Sequence, residues 1–407
     1  MNQRILIIGA GHAGGSVAAL LRQQGHVGDI TLVGAEPLPP YQRPPLSKAW
    51  LKGEITEDAL LLRPPAFYTE KSITLRLSTE VRALDLAARK ATLDTGEALA
   101  YDALVLATGA RLRRLEAPGA QLPGVLELRT AADAQQIRTA LQPGARLAII
   151  GGGYIGLEVA ASARALGADV TVFERETRLL ARVASPELSS FFAGLHQAHG
   201  VRIETGAAFA AFTEHGGRVG GVTLADGRQF DCDVAVVGIG ALAEDRLAQA
   251  AGLACDDGIL VDDCARTSHD GVFAIGDCTR RPVPRYGRRL RLESVPNALE
   301  QAKQAAACLC GKPAPRPEAP WFWSDQYDAR LQIAGMAFDV ERSVVRGDPA
   351  TGKFAVFHLG ADNVLQALEA VNAPQEFVAA RQWVGAAQAL APERIADASC
   401  PVKSLPA

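Results

Sequence analysis

Two glycine clusters carry the clearest chemistry in the chain. Gly9-Ala10-Gly11-His12-Ala13-Gly14 and Gly151-Gly152-Gly153-Tyr154-Ile155-Gly156 share the spacing G-x-G-x-x-G. At that spacing the first glycine makes a tight turn, the second lets backbone approach a pyrophosphate, and the third permits close helix–strand packing. The N–H groups and positive dipole end of the following helix then hold the anion. Each loop needs an acid after its second strand to accept hydrogen bonds from ribose hydroxyls. Glu174 stands 18 residues past Gly156, and Glu36 stands 22 past Gly14, slightly late. A carboxylate at 174 repels a 2′-phosphate, which favours NADH over NADPH, while the neighbouring Arg175 acts in the opposite sense.

The elements that must position these residues are legible on either side. Ile5–Ile8 and Leu147–Ile150 are continuous apolar runs suited to buried parallel strands. A helical pattern follows each, closed by Gly25 and Gly167, and then a second strand, Ile30–Val33 or Val170–Phe173. This strand–turn–helix–strand unit recurs at an offset of 142 residues. Further buried strands are expected at 101–109, 233–240 and 270–277. Gly311 to Pro320 holds four prolines in ten residues and reads as a linker. Beyond it, strands near 331–335 and 353–358 and a helix near 375–390 suggest a small α+β domain.

Composition narrows the function classes. The 407 residues are 21% charged and 48% hydrophobic with net charge −3, which excludes a chain-wide nucleic-acid footprint and disorder. No apolar run reaches membrane-spanning length, so no membrane partner is expected and a cytoplasmic location is. Seven scattered cysteines without a C-x-x-C pair predict inert thiols, with no disulfide framework and no metal site. Cys308 and Cys310 are expected on different faces of a helix, and His196 and His199 on a helix surface. Arg280, Arg281, Arg285, Arg288, Arg289 and Arg291 fall within 12 residues. They read either as a solvated loop or as a docking patch for an acidic iron–sulfur protein. No nucleic-acid-binding motif surrounds them.

Several segments together resemble the ferredoxin reductases of bacterial oxygenase systems, of the putidaredoxin reductase and rhodocoxin reductase kind. They are Pro40-Tyr41-Gln42-Arg43-Pro44-Pro45-Leu46-Ser47-Lys48, Ala107-Thr108-Gly109, Gly151 to Glu158, Gly276-Asp277, Glu293 to Ala298, and Trp321-Phe322-Trp323-Ser324-Asp325-Gln326-Tyr327. The resemblance implies FAD at the first loop, through Gly9, Gly11, Ala13, Gly14, Arg43, Lys48, Val81, Ala107, Arg129, Asp277 and Val295. It implies a nicotinamide nucleotide at the second, through Gly151, Gly153, Tyr154, Ile155, Gly156, Glu174, Arg182 and Gly240. Lys48 is similar to a lysine at the flavin N5 edge, paired with a carboxylate matching Glu158. These two are the residues expected to tune catalysis. The acidic ribose position of some relatives falls on Ala35, with Glu36 beside it. Disulfide reductases on the same plan carry a C-x₄-C pair near the flavin, and Tyr41 to Lys48 contains no cysteine. Electrons are therefore expected to leave from the flavin itself.

The expected fold is α/β, with two Rossmann-like dinucleotide domains on a glutathione-reductase-like plan and a C-terminal α+β domain. The FAD domain is assigned to 1–110 and 233–315, the NAD domain to 111–232, and the last domain to 316–407. The expected activity passes a hydride from NADH to FAD, then single electrons to a [2Fe–2S] ferredoxin serving a cytochrome P450 or a ring-hydroxylating oxygenase. The other classes are an NADH oxidase or monodehydroascorbate-type reductase, and a non-catalytic redox-sensing flavoprotein.

Overall fold

The computed structural model describes residues 2–407. Two compact units emerge. One comprises the chain up to Gln42, Glu57–Arg111 and Leu242–Phe322; the other comprises Arg43–Thr56, Leu112–Ala241 and Trp323–Ala407.

The first unit is built on a five-stranded sheet in the order Val272–Ala274, Ala103–Leu106, Ile5–Ile8, Ile30–Val33, Ile73–Arg76. All four pairings are parallel. Ile5–Ile8 lies at the centre and is buried on both faces, which is why its run is apolar without alternation. Helix His12–Gln23 follows directly and packs on helix Val295–Leu309. The seam between them is made of small and branched residues, among them Val17, Ala18, Ala298, Ala302 and Ala305, all inside one core. An antiparallel layer, Val81–Asp85 with Lys90–Leu93 and Ala98–Ala100, and a mixed one, in which Thr279–Val283 pairs parallel with Ile259–Leu260 and antiparallel with Arg288–Leu290, complete the unit.

The second unit repeats the design. Its sheet runs Val125–Glu127, Val234–Val237, Arg146–Ile150, Asp169–Phe173, Arg202–Glu204, again parallel throughout. The glycine-loop strand is central in both sheets, with its second strand on one side. Val234–Val237 supplies the other neighbour of Arg146–Ile150, so the boundary expected at 232/233 falls just before an interior strand of this sheet. A parallel strand buried on both faces needs a partner at each edge, and 233–237 provides it.

Downstream is a five-stranded sheet in the order Trp321–Gln326, Ala329–Gly335, Leu365–Val371, Lys353–Leu359, Arg342–Asp348. It is antiparallel where its register is defined and is covered by helix Pro374–Gly385. This is the expected α+β region. Its Leu331, Phe354, Val356 and Val371 share a core with Leu51, Ile149 and Leu157 of the nucleotide-type fold. The proline-rich stretch from Pro313 to Pro320 has no regular structure.

Candidate functional site

In the first unit, Gly9 has φ +109°, and a Cβ there would lie 2.1 Å from the Ala107 carbonyl oxygen. A Cβ on Gly14 would lie 1.9 Å from the carbonyl oxygen of Gly9. Both positions therefore exclude any side chain. Gly11 differs: a Cβ there would meet nothing within 4 Å, so its surface opens onto free space. Gly11 is also the N-cap of helix His12–Gln23, which has neither a side-chain cap nor an acid in its first turn. The N–H donors at this helix start are thus left for an external acceptor. The His12 Nδ1, in the same first turn, is buried without a partner.

Neighbouring segments close around this loop. Gly276 has φ +81°, and its Cβ position comes within 3.1 Å of the Ala13 Cβ, which brings Asp277 beside the helix start. The Gln301 carbonyl oxygen accepts from the Gly276 N–H at 2.8 Å and the Thr279 hydroxyl at 3.0 Å, fixing that turn to the helix that begins at Val295. Ser294 caps the same helix by accepting from the Asn297 N–H at 3.2 Å. Beyond Ile30–Val33, the Tyr41 hydroxyl donates to Glu36 at 2.5 Å, while Ala35 is exposed. The N–H of Ser78 donates to the Glu36 carbonyl, which draws the strand starting at buried Val81 to the same end of the sheet.

The second unit reproduces the cradle. Gly151 has φ +112° and a Cβ position 2.4 Å from the Gly238 carbonyl oxygen. Gly156 would meet the carbonyl oxygen of Gly151 at 2.3 Å, and Gly153 opens onto free space. Helix Tyr154–Ala165 starts at Gly153 with no side-chain cap and no acid in its first turn. The Glu174 carboxylate accepts from the Gly152 N–H at 2.7 Å and from the Glu176 N–H at 2.9 Å, so the ribose-type acid is held against the loop itself. Ile155 and Val183 are 50% and 49% exposed. The Tyr154 hydroxyl donates to the Val183 carbonyl at 3.3 Å. Burial pushes the Tyr154 phenol well above its ordinary value, so it stays protonated. The Arg182 guanidinium lies 4.0 Å from the Cβ position of Gly240.

Lys48 and Glu158 also fall in this unit. Glu158 is 2% exposed and meets the Lys48 ammonium at 2.6 Å. Its two carboxylate oxygens accept from the Ser47 hydroxyl at 2.5 Å and the Ser324 hydroxyl at 2.6 Å. One turn further along the helix, the Ser162 hydroxyl donates to the Ser47 carbonyl at 2.6 Å, tying the turn Pro44–Ser47 down. Lys48 donates to the Pro44 carbonyl at 3.2 Å as well. A carboxylate this deep is tolerated because each oxygen has a donor; removing one partner of such a pair costs about 3–5 kcal/mol. The Arg43 guanidinium donates to the Arg129 carbonyl at 2.5 Å, joining two further expected residues. Ser47, Ser324 and Gln326 had no assigned role in the sequence, although they sit inside the segments that carry the resemblance.

Some expectations change. His196 is fully buried and bonded to Gln326 at 2.9 Å, because its face of helix Pro186–Ala198 packs on strand Trp321–Gln326; only His199 is on the surface. Arg281 is 4% exposed, paired with Glu300 at 2.5 Å and Asn297 at 3.1 Å, so it belongs to the interior and not to a docking face. Arg280 pairs with Asp256 at 2.6 Å, Arg291 with Asp257 and Glu293, and Arg289 with the Val261 carbonyl at 2.8 Å. Arg285 lies over the Tyr286 ring. Burial pushes the thiols of Cys232 and Cys308 up to about 12 and that of Cys255 to about 11, far from thiolate chemistry. Cys278, next to Asp277, is buried and its thiol is also raised.

Residues 3–302 match the pyridine nucleotide-disulphide oxidoreductase family, and residues 321–406 match the reductase C-terminal family. The chain belongs to the pyridine nucleotide-disulphide oxidoreductase family. Among relatives of this oxidoreductase family, it is 48% identical to the probable ferredoxin reductase CtmF of Castellaniella defragrans, over 99% of each chain. It is 42% identical to rhodocoxin reductase of Rhodococcus erythropolis, over 98% of this chain and 93% of that one. The crystal structure of the covalent putidaredoxin reductase–putidaredoxin complex superposes with TM-score 0.96 at 41% identity, covering 99% of this chain and 97% of that one. The chain is an oxidoreductase using FAD and a nicotinamide nucleotide, and its residues fit both. Each cradle has an open middle glycine and uncapped helix donors, and the first adds the unpartnered His12 Nδ1. Among the described residues, no group of His, Cys, Asp and Glu could hold a metal ion, and no helix is long and apolar enough to cross a membrane.

Proposed function

We propose that this oxidoreductase is an NADH-dependent ferredoxin reductase serving a cytochrome P450 or ring-hydroxylating oxygenase. The observation that carries the reading is the ion pair of buried Glu158 with Lys48, which closes a segment, Tyr41 to Lys48, that has no cysteine. A thiol–disulfide exit from that segment is unavailable, while a fixed cation is present. FAD, when bound, supplies hydride acceptance and release of single electrons. The protein's part is orientation and charge. Gly9, Gly11, Ala13 and Gly14, with Ala107, Asp277 and Val295, cradle and align FAD; Val81, Arg43, Arg129 and Glu36 (or Ala35 beside it) add contacts. Gly151, Gly153, Gly156, Tyr154, Ile155, Arg182 and Gly240 seat NADH, and Glu174 accepts from its ribose. The fixed Lys48 ammonium favours negative charge on the reduced ring. The functional division that follows is an FAD domain at 1–110 and 242–315, an NAD domain at 111–241 and a C-terminal domain at 316–407, the expected boundary at 232/233 moving because Val234–Val237 completes the second sheet.

Relatives named ferredoxin reductases, and one solved with putidaredoxin, support a small ferredoxin as acceptor. Its docking face on this chain includes the exposed Arg288 and Arg289, with Arg280, Arg285 and Arg291 behind them and Arg281 inside the fold. Free thiols and NADH dependence suit the cytoplasm. The test is NADH- and NADPH-driven cytochrome c reduction, with and without a panel of [2Fe–2S] ferredoxins. Strong ferredoxin stimulation is expected, with NADH preferred. Full turnover with oxygen alone would instead assign an oxidase, and very slow flavin reduction a sensor. Reversing Arg288 and Arg289 to Glu lowers ferredoxin-dependent turnover and its salt dependence while ferricyanide reduction is unchanged. Unaltered ferredoxin turnover would remove the arginines from the interface.

A further inference from the structure

We propose that Ser324 and Gln326 are positioning residues that hold the Glu158–Lys48 pair through a buried hydrogen-bond chain anchored on His196. Glu158 is 2% exposed, Ser324 and His196 0%, and Gln326 1%. The links run from Ser324 to Glu158 at 2.6 Å, Gln326 to Ser324 at 3.1 Å and His196 to Gln326 at 2.9 Å, with a longer one from Tyr327 to His196 at 3.4 Å.

The chain has only one self-consistent direction. A carboxylate only accepts, so the Ser324 hydroxyl must donate to Glu158. The Ser324 oxygen is then left to accept, and the Gln326 amide N–H donates to it. This turns the Gln326 carbonyl oxygen toward His196, whose Nε2 must carry the proton. The opposite nitrogen, Nδ1, is left to accept from the Tyr327 hydroxyl. Every member agrees with this order. Burial lowers the His196 imidazole below its ordinary value, keeping it neutral, and pushes the Tyr327 phenol up to about 12, keeping it a donor. His199 stacks on the Tyr327 ring with centroids 3.7 Å apart, fixing the outer end.

An aligned chain ending on an anion is polarised along its length, and each bond strengthens the next. Its effect at Glu158 is geometric. Ser324 donates to one carboxylate oxygen while Lys48 and Ser47 both meet the other, so the Ser324 bond fixes the rotation of the carboxylate and with it the place of the ammonium. The inference rests on the reading of Lys48 as the cation facing the flavin. A confined ammonium stabilises the reduced ring more than one spread over several positions.

The test uses the flavin-loaded protein and measures the midpoint potential of the bound flavin, NADH affinity and the single-turnover rate of flavin reduction. Lys48→Met shifts the potential negative. Ser324→Ala shifts it the same way by less, and slows reduction about tenfold, as loss of a hydrogen bond to a charged group implies. Gln326→Leu gives a smaller shift of the same sign. Ser324→Thr, which keeps the hydroxyl, restores the wild-type potential, and NADH affinity is unchanged throughout. If Lys48→Met moves the potential but Ser324→Ala and Gln326→Leu do not, or if Thr behaves as Ala does, the chain is overturned and the site reading stands. If Lys48→Met leaves the potential unmoved, both are overturned.

Discussion

The two glycine-loop units solve one problem with different finishing touches. Each places its loop strand at the centre of a five-stranded parallel sheet, blocks the first and third glycines with backbone oxygens, and leaves the middle one open. They diverge at the acid. Glu174 is bound to the loop backbone through the Gly152 N–H, whereas Glu36 is held by the Tyr41 side chain. They diverge again at the first helical residue, where His12 leaves a buried nitrogen unpartnered and Tyr154 donates to Val183. Close backbone packing thus fixes the first and third glycines in both units, while the acid and the first helical residue are free to differ.

The sharpest way to break this parallel is to fill the third glycine in each unit. Gly14→Ala puts a methyl 1.9 Å from a carbonyl oxygen and is expected to give colourless protein, read from the ratio of flavin to protein absorbance. Gly156→Ala is expected to keep its flavin and lose NADH affinity by about a hundredfold, or about 3 kcal/mol, in a titration. Loss of flavin from Gly156→Ala would assign the loops the other way round.

Next in size is Glu174→Gln. The loop donors lose a charged acceptor, so NADH binding weakens by about tenfold, while NADPH binding changes less and the preference narrows. Titration of both nucleotides reads this directly. Glu36→Ala is smaller, since that acid is held by a side chain and not by the loop: FAD affinity drops about fivefold, or about 1 kcal/mol. Unchanged FAD affinity in that variant would leave Tyr41–Glu36 a structural contact only.

The smallest effect is on acid stability and belongs to His12 alone of the two matching positions. Burial holds its folded-state value below the ordinary 6.5. The unfolded chain therefore takes up the proton first. Stability is full above about pH 6.5 and declines as pH falls toward the lowered value. In flavin-free protein, His12→Asn should flatten part of that acid limb in denaturant melts. The remainder stays with His26 and His196, which burial also lowers. A limb unchanged in slope would show that His12 titrates alike in both states.

Much of the fold was legible because its signals are local. Ile5–Ile8 and Arg146–Ile150 announce central parallel strands by composition, and the glycines announce loops by spacing. What escaped depends on partners distant in sequence. Ser324 meets Glu158 across 166 residues, and nothing near either predicts the pairing. His196 looked like a surface residue because helical spacing shows which residues share a face, not which face is covered. The arginine run could not be sorted into interior and surface members for a related reason: the partners of Arg280, Arg281 and Arg291, Asp256, Glu300 and Asp257, lie outside it. Placing Val234–Val237 required knowing which strand completes the second sheet.

The bare starts of helices His12–Gln23 and Tyr154–Ala165 have a consequence for the life of the protein. Three other helices cap themselves, with Thr130, Ser185 and Ser294 accepting from their own first turns. On the proposed reading, these two take that service from a bound dinucleotide. Folding stability therefore rises with the logarithm of free cofactor above its dissociation constant, and the unfolded fraction falls in inverse proportion to free cofactor, so a cell short of riboflavin would carry less of this enzyme at the same rate of synthesis.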